Sequence, residues 1–233
     1  MLSDDDLRKL REQMVEKQLR DRDIHNERVL AAMGRVPRHA FVSAELRHLA
    51  YRDGPLPIGE KQTISQPYIV ALMTQMLGLR GGERVLEIGT GCGFQTAVLC
   101  EIAGYVFSLE RYPRLAERAA NTLAGLGYSN IDIHVGDGSQ GLPDMAPFDA
   151  IIVTAAAPSV PGPLCSQLNP DGGRMVIPVG DEQHQFLQVV QRFGKRCRIS
   201  EMCPVRFVPL IGRYGFTDHP DTESSDETDG AGV

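Results

Sequence analysis

Residues 84–94 read Arg-Val-Leu-Glu-Ile-Gly-Thr-Gly-Cys-Gly-Phe, and few folds accommodate such a run. A short apolar segment ends in an acid and meets glycines at alternate positions. An apolar helical pattern, Ala97-Val98-Leu99-Cys100, follows at once. The order is strand, tight turn, helix, and the turn needs residues without a Cβ so that backbone can approach a ligand. Twenty-one residues after Gly89 stands a second acid, Glu110, at the end of the apolar run Tyr105-Val106-Phe107-Ser108-Leu109. An acid at that spacing accepts hydrogen bonds from ribose hydroxyls. The pair of signals points to a nucleoside cofactor.

One position bears on which cofactor. The dinucleotide fingerprint G-x-G-x-x-G ends in a glycine that lets helix and strand pack closely. Here that slot is Phe94, and the third glycine comes one residue early, at Gly93. A charged Glu87 at the strand end would repel a diphosphate and attract a cation. S-adenosylmethionine carries a sulfonium and an ammonium and no phosphate, so it is favoured over NAD.

Around this core the pattern alternates. Strands are expected near 84–88, 105–109, 131–135, 149–153 and 174–179, with helices near 93–103, 112–126 and 161–168. Such alternation implies an α/β fold, a doubly wound parallel sheet with helices on both faces. Beyond Gly180, the segments 185–191, 196–202 and 205–211 read as successive strands that finish the sheet in antiparallel fashion. Towards the N-terminus, Ser3 before Asp4, Asp5 and Asp6 reads as a helix cap, and Leu7, Leu10, Met14 and Leu19 continue at helical spacing. A second helix is expected from Asn26. After a turn-rich loop at 53–59, Ser65 and Pro67 read as the N-cap and first turn of an amphipathic helix carrying Ile69, Val70, Leu72, Met73, Met76 and Leu77. The reading is one domain over 1–217, with a helical cover at about 1–78 and the cofactor-binding sheet at about 79–217.

Composition closes off other classes. The net charge of −6 comes from the last sixteen residues, 218–233, which hold six acids and no lysine or arginine; the rest is balanced. No nucleic-acid footprint is expected, and the acidic tail is expected to be disordered. The apolar runs are too short to cross a bilayer and residues 1–6 lack a signal-peptide core, so the expectation is a soluble, cytoplasmic protein with no membrane partner. The five cysteines, at 92, 100, 165, 197 and 203, include no C-x-x-C pair. They are read as reduced thiols rather than as a disulfide framework or metal site.

Several further segments carry a resemblance: 36–42 (Val-Pro-Arg-His-Ala-Phe-Val), 62–68 (Gln-Thr-Ile-Ser-Gln-Pro-Tyr), 85–97, 136–141, 146–156 and 204–210 (Pro-Val-Arg-Phe-Val-Pro-Leu). With them the chain resembles the bacterial protein-L-isoaspartate O-methyltransferases, within the Class I S-adenosylmethionine-dependent methyltransferases. The glycine turn alone would indicate only the wider class; segments 62–68 and 204–210 are more specific. The resemblance implies a seven-stranded, mostly parallel methyltransferase sheet with covering N-terminal helices. It implies S-adenosylmethionine as cofactor, held by Glu87, Gly89, Thr90, Gly91, Gly93 and Glu110, with Asp137 and Gly138 at the adenine. Thr63, Ile64 and Ser65 would meet the substrate, an isoaspartyl residue of a damaged protein or peptide, and Ser65 would orient its carboxylate. Cys92 and Phe94 stand where such proteins often have Ser and Tyr.

The implied reaction moves a methyl group from sulfonium to carboxylate. A carboxylate is ionised at neutral pH, so no base is required, in keeping with the absence of a recognisable catalytic dyad, nucleophile elbow or phosphate loop. His39 reads as a structural histidine. Two alternatives stay open at this stage: a methyltransferase of the same fold acting on another carboxylic acid, and a non-catalytic cofactor-binding module in which Ser65 only caps its helix.

Overall fold

The computed structural model describes residues 2–181 and 183–217. The acidic tail, 218–233, lies outside the described residues, and so does the expectation about it. A seven-stranded sheet forms the centre, in the order β5-β4-β3-β6-β7-β8-β9. Its parallel strands are β3 (Arg84–Ile88), β4 (Tyr105–Glu110), β5 (Ile131–Val135), β6 (Ala150–Val153) and β7 (Asp171–Gly180), and β8 (Gln185–Phe193) and β9 (Arg196–Val205) complete it antiparallel. The chain builds outward from β3 to β5, then crosses to β6 on the other side of β3. Ligands of open α/β sheets bind at the carboxyl ends of strands where the order reverses in this way.

The pleat divides the core in two. Val85, Val106, Ile152 and Val176 point to one face, where they meet α4 (Phe94–Cys100) and the N-terminal helices α1 (Asp4–Gln13), α2 (Glu27–Arg35) and α3 (Pro67–Leu77). Leu86, Ile88, Leu109, Ile151 and Val153 point to the other, against Leu164 of α6 (Gly162–Gln167). Alternate residues of one strand feed opposite cores, as the two-residue period requires. Helix α5 (Pro113–Gly125) completes the wrapping beside β4 and β5.

Three readings change. The N-terminal portion is not wholly helical. It contains an antiparallel hairpin, β1 (Leu56–Gly59) and β2 (Gln62–Ile64), whose two turn residues, Glu60 and Lys61, both sit in the left-handed region at φ 49° and 54°. That is the turn geometry matched to hairpin twist, normally supplied by Asn-Gly, so this sequence gave no signal for it. The expected strand at 205–211 ends at Val205. Residues 206–211 run on as an extended strap, which bridges to the sheet side through Pro209 and Ala156 and is held at Phe207 by the Gln185 side chain of β8. Third, Ser65 does not cap α3: the cap position is Gln66, and no side chain caps the helix.

Candidate active site

The strap, the hairpin and the glycine turn enclose a cleft of about 310 Å³ at the carboxyl ends of β3, β4 and β6. The turn's conformation is forced. Gly89 and Gly91 have φ of 93° and 56°, and a Cβ on Gly89 would overlap Thr154 Oγ1, the hydroxyl that donates to the Gly89 carbonyl at 2.8 Å. Gly91 faces the hairpin: a Cβ there would lie 3.3 Å from Ile58 Cδ1. Glu110, 5% exposed, accepts the Gly91 amide at 2.8 Å and the Tyr112 amide at 2.9 Å. Each carboxylate oxygen keeps a second lone pair, so two hydroxyls of a ribose can still be accepted.

Ser65 enters the cleft from the end of the hairpin. Its carbonyl is held at 2.7 Å by Nη2 of Arg38, a fully buried guanidinium that also donates to the Ala50 carbonyl at 2.7 Å and lies over the Phe94 ring. Arg118 of α5 holds the Ile58 carbonyl at 3.0 Å. The hairpin is thus fixed at both ends, while the Ser65 hydroxyl takes no partner among the described residues. The uncapped first turn of α3 follows directly. Pro67 has no N–H to lose, which leaves the next amides and the positive end of the helix for an anion.

The cleft is lined by Thr63, Ile64, Ser65, Gly89, Thr90, Gly91, Glu110 and Gly138. A Cβ on Gly138 would overlap the Ile88 side chain, so only glycine fits that wall. Three expected site residues lie elsewhere. Gly93 starts α4 at φ 92° and faces Ala119 and Leu123 of α5, so it serves helix packing. Asp137 stands beside the cleft with both oxygens occupied, by Ser139 N–H and O–H at 2.9 and 2.6 Å, Gln140 at 3.0 Å and the Arg213 amide at 2.8 Å. Burial pushes its pKa up, but these donated bonds outweigh burial and leave it below the usual range.

Glu87 is the largest correction. It is wholly buried beneath the turn, on the β3 face towards α4. Thr96 donates to its Oε2 at 2.5 Å and Ser108 at 2.6 Å. Ser108 also contacts the Thr90 hydroxyl at 2.6 Å, so a chain of hydroxyls links Glu87 to Thr90 in the turn. Oε1 has no partner among the described residues. Desolvation pushes the Glu87 pKa up to about 8 against the pull of the two hydroxyls, with the charge of Glu110 adding to the rise. The group is therefore mainly neutral at pH 7, and it neither repels a diphosphate nor attracts a sulfonium. Its work is to brace the turn through Thr90.

Several lining residues go beyond those the sequence pattern marks: Tyr112 beside Glu110, Thr154 at the end of β6, Gln95 and Met73 from the helices, and Phe207 to Ile211 of the strap. Tyr112, two residues beyond the second acid, was the one legible from spacing. Cys92 also lines the cleft, but it is 9% exposed and burial pushes its thiol up to about 11, which keeps it protonated and unreactive. His39 bonds Tyr51 at 2.7 Å, and burial, with Arg11 and Arg47 nearby, lowers its pKa; it does not line the cleft. Among the described residues no cluster of three or more His, Cys, Asp or Glu side chains could hold a metal ion. No helix among them is long and apolar enough to cross a membrane.

The cradle fits S-adenosylmethionine on its own chemistry. A pair of cis hydroxyls has a buried carboxylate to meet, the turn admits close backbone approach, and aromatic and apolar walls flank it. The family model described as protein-L-isoaspartate(D-aspartate) O-methyltransferase matches residues 9–215. Protein-L-isoaspartate O-methyltransferase 1 of Syntrophobacter fumaroxidans is 56% identical over 208 residues, spanning 89% of this chain and 97% of its own. A solved protein-L-isoaspartate O-methyltransferase superposes with a TM-score of 0.80 at 28% identity, over 88% of this chain and 67% of that one. A Plasmodium falciparum protein assigned to the same methyltransferase type, solved in complex with S-adenosyl-L-homocysteine, shares the fold with a TM-score of 0.74 at 24% identity, over 86% of this chain and 98% of that one.

Proposed function

The chain belongs to the protein-L-isoaspartate(D-aspartate) O-methyltransferase family, and on that premise we propose how its residues divide the work of the reaction. The enzyme is an S-adenosylmethionine-dependent protein carboxyl O-methyltransferase acting on L-isoaspartyl residues. Bound S-adenosylmethionine supplies an electrophilic methyl on a sulfonium. The Gly89-Thr90-Gly91 turn and Gly138 would offer backbone to it, and Glu110 would accept from its ribose. Ser65 Oγ would donate a hydrogen bond to one oxygen of the substrate carboxylate and leave the other free as the nucleophile. The free amides and dipole of the first turn of α3 add to the anion's binding.

No residue here needs to remove a proton, because the nucleophile is already ionised. Catalysis then consists of alignment and exclusion of water. Positioning contributes on the order of 7–11 kcal/mol in favourable systems, and the rigid parts around Ser65 are suited to it. Arg38 fixes its carbonyl and Arg118 fixes the hairpin. Ile69, Val70, Met73 and the strap supply an apolar lining that strips water from the carboxylate. The methyl ester is a better electrophile than the acid. The neighbouring backbone amide nitrogen then attacks the ester carbonyl and expels methanol to close a succinimide, and hydrolysis of that ring returns some normal aspartyl linkages. The proposed partners are isoaspartyl-containing proteins and peptides, met in the cytoplasm, with neither nucleic acid nor membrane required.

The observation that carries this reading is the unspent Ser65 hydroxyl, in one cleft with Glu110 and the glycine turn. Ser65→Ala is expected to depress kcat on an isoaspartyl peptide about ten- to a hundredfold, the equivalent of one lost hydrogen bond. Cofactor affinity and melting temperature should barely move, because the hydroxyl serves neither. A stable Ser65→Asp variant with full activity would sink the assignment, since its charge would repel the substrate's.

A further inference from the structure

Gln185 opens β8 and is 6% exposed. Its backbone pairs with Val205, the last residue of β9. Its side chain continues where the ladder stops: Oε1 accepts the Phe207 N–H at 2.7 Å, and Nε2 donates to the Phe207 carbonyl at 3.2 Å. A primary amide offers the same donor and acceptor as a peptide unit, so the side chain stands in for one more residue of strand.

The strap beyond Phe207 has anchors of its own. Val208 C=O and Leu210 N–H bracket Ala156 at 2.8 and 2.7 Å, and Asp137 and Ser139 hold the Arg213 and Tyr214 amides at 2.8 and 2.9 Å. These fix the part that packs with Ile88 and Leu109 and reaches Gly138. Phe207 packs instead on the other core, the one that includes Ile64 and residues of the N-terminal helices, and it lines the same cleft as Ile64 and Ser65. Among the described residues its backbone has no hydrogen-bond partner except Gln185.

We propose that Gln185 is a positioning residue for the peptide substrate: by clamping Phe207 it sets the part of the cleft wall, on the core shared with Ile64, against which the isoaspartyl peptide lies, and it leaves the cofactor half of the cleft alone. The proposal rests on the assignment of the Ser65 side to the substrate. It separates two properties that a merely structural glutamine would move together.

The test varies an isoaspartyl peptide at saturating S-adenosylmethionine and measures S-adenosylhomocysteine binding by calorimetry. Gln185→Ala should raise the peptide KM about tenfold and leave the S-adenosylhomocysteine Kd within about twofold. Gln185→Glu adds an internal control. Ionised, it still accepts from the Phe207 amide but sets lone pairs against the Phe207 carbonyl. Protonated, it donates again as glutamine does. Its peptide KM, relative to wild type at each pH, should therefore be high at pH 8 and recover as pH falls towards 5.5, because burial raises its pKa above the ordinary value of about 4.3. An unchanged KM in both variants, a cofactor Kd that rises in step with KM, or a Glu variant with no recovery on acidification would overturn the proposal. A wild-type protein inert towards the isoaspartyl peptide would overturn the substrate assignment beneath it, and the proposal with it.

Discussion

Glu87→Gln isolates the effect of burying a carboxyl under the cofactor turn. The acid's pKa stands near 8 in the fold, against 4.5 as its unperturbed value. Below about pH 4.5 both folded and unfolded chains hold the proton, and the group contributes nothing to the pH dependence. Between about 4.5 and 8 the folded chain keeps a proton that the unfolded chain has released, so stability falls as pH rises. Above about 8 the loss is complete. At 1.36 kcal/mol per pKa unit, it amounts to roughly 3 kcal/mol at pH 7 and roughly 5 kcal/mol above pH 8. The amide Oε1 of glutamine can accept from Thr96 and Ser108 as the acid does, and it does not titrate. At pH 5 the two proteins should melt alike. At pH 9 the variant should melt higher, by on the order of 10 °C for a chain of this size. Scanning calorimetry at half-unit steps of pH reads this directly. Melting curves that stay parallel from pH 5 to 9 would mean that Glu87 is already ionised in the fold, and the account of the neutral brace would be wrong.

Gly89→Ala should cost roughly 2–4 kcal/mol in denaturant unfolding, because it combines a left-handed backbone with displacement of the Thr154 hydroxyl. Glu110→Ala should weaken S-adenosylhomocysteine by about 1–3 kcal/mol in calorimetry through lost ribose bonds. Little change in affinity would remove Glu110 from the proposed cofactor contacts.

The parallel half of the fold was legible because its physics is local. The run Val85 to Ile88 and the alternating helices state a doubly wound sheet without help from distant residues, and β3 and β5 begin and end where the pattern places them. Gly89, Gly91 and Glu110 were legible for the same reason: turn geometry and spacing decide them. The misses depend on partners far along the chain. Val205, Phe207 and Leu210 have the composition of a strand, but the role of the next strand is taken at Phe207 by the Gln185 side chain, and the segment becomes a strap. Ser65 before Gln66-Pro67 looks like a cap, yet Arg38 holds its carbonyl and the cap falls one residue later. Glu87 was read as a charge facing ligand because sequence shows the residue and not its burial. The pleat turns it towards Thr96, and desolvation neutralises it.

The central claim is that the cleft between Ser65 and Glu110 transfers a methyl group to the free carboxylate of an isoaspartyl residue. It is tested most directly by offering labelled S-adenosylmethionine with two peptides that differ only in whether one aspartyl linkage runs through the side chain. The account predicts label on the isoaspartyl peptide as a base-labile ester, none on its aspartyl twin, and labelling about ten- to a hundredfold slower in Ser65→Ala. Equal labelling of both peptides, or labelling of neither while cofactor binds, would contradict it.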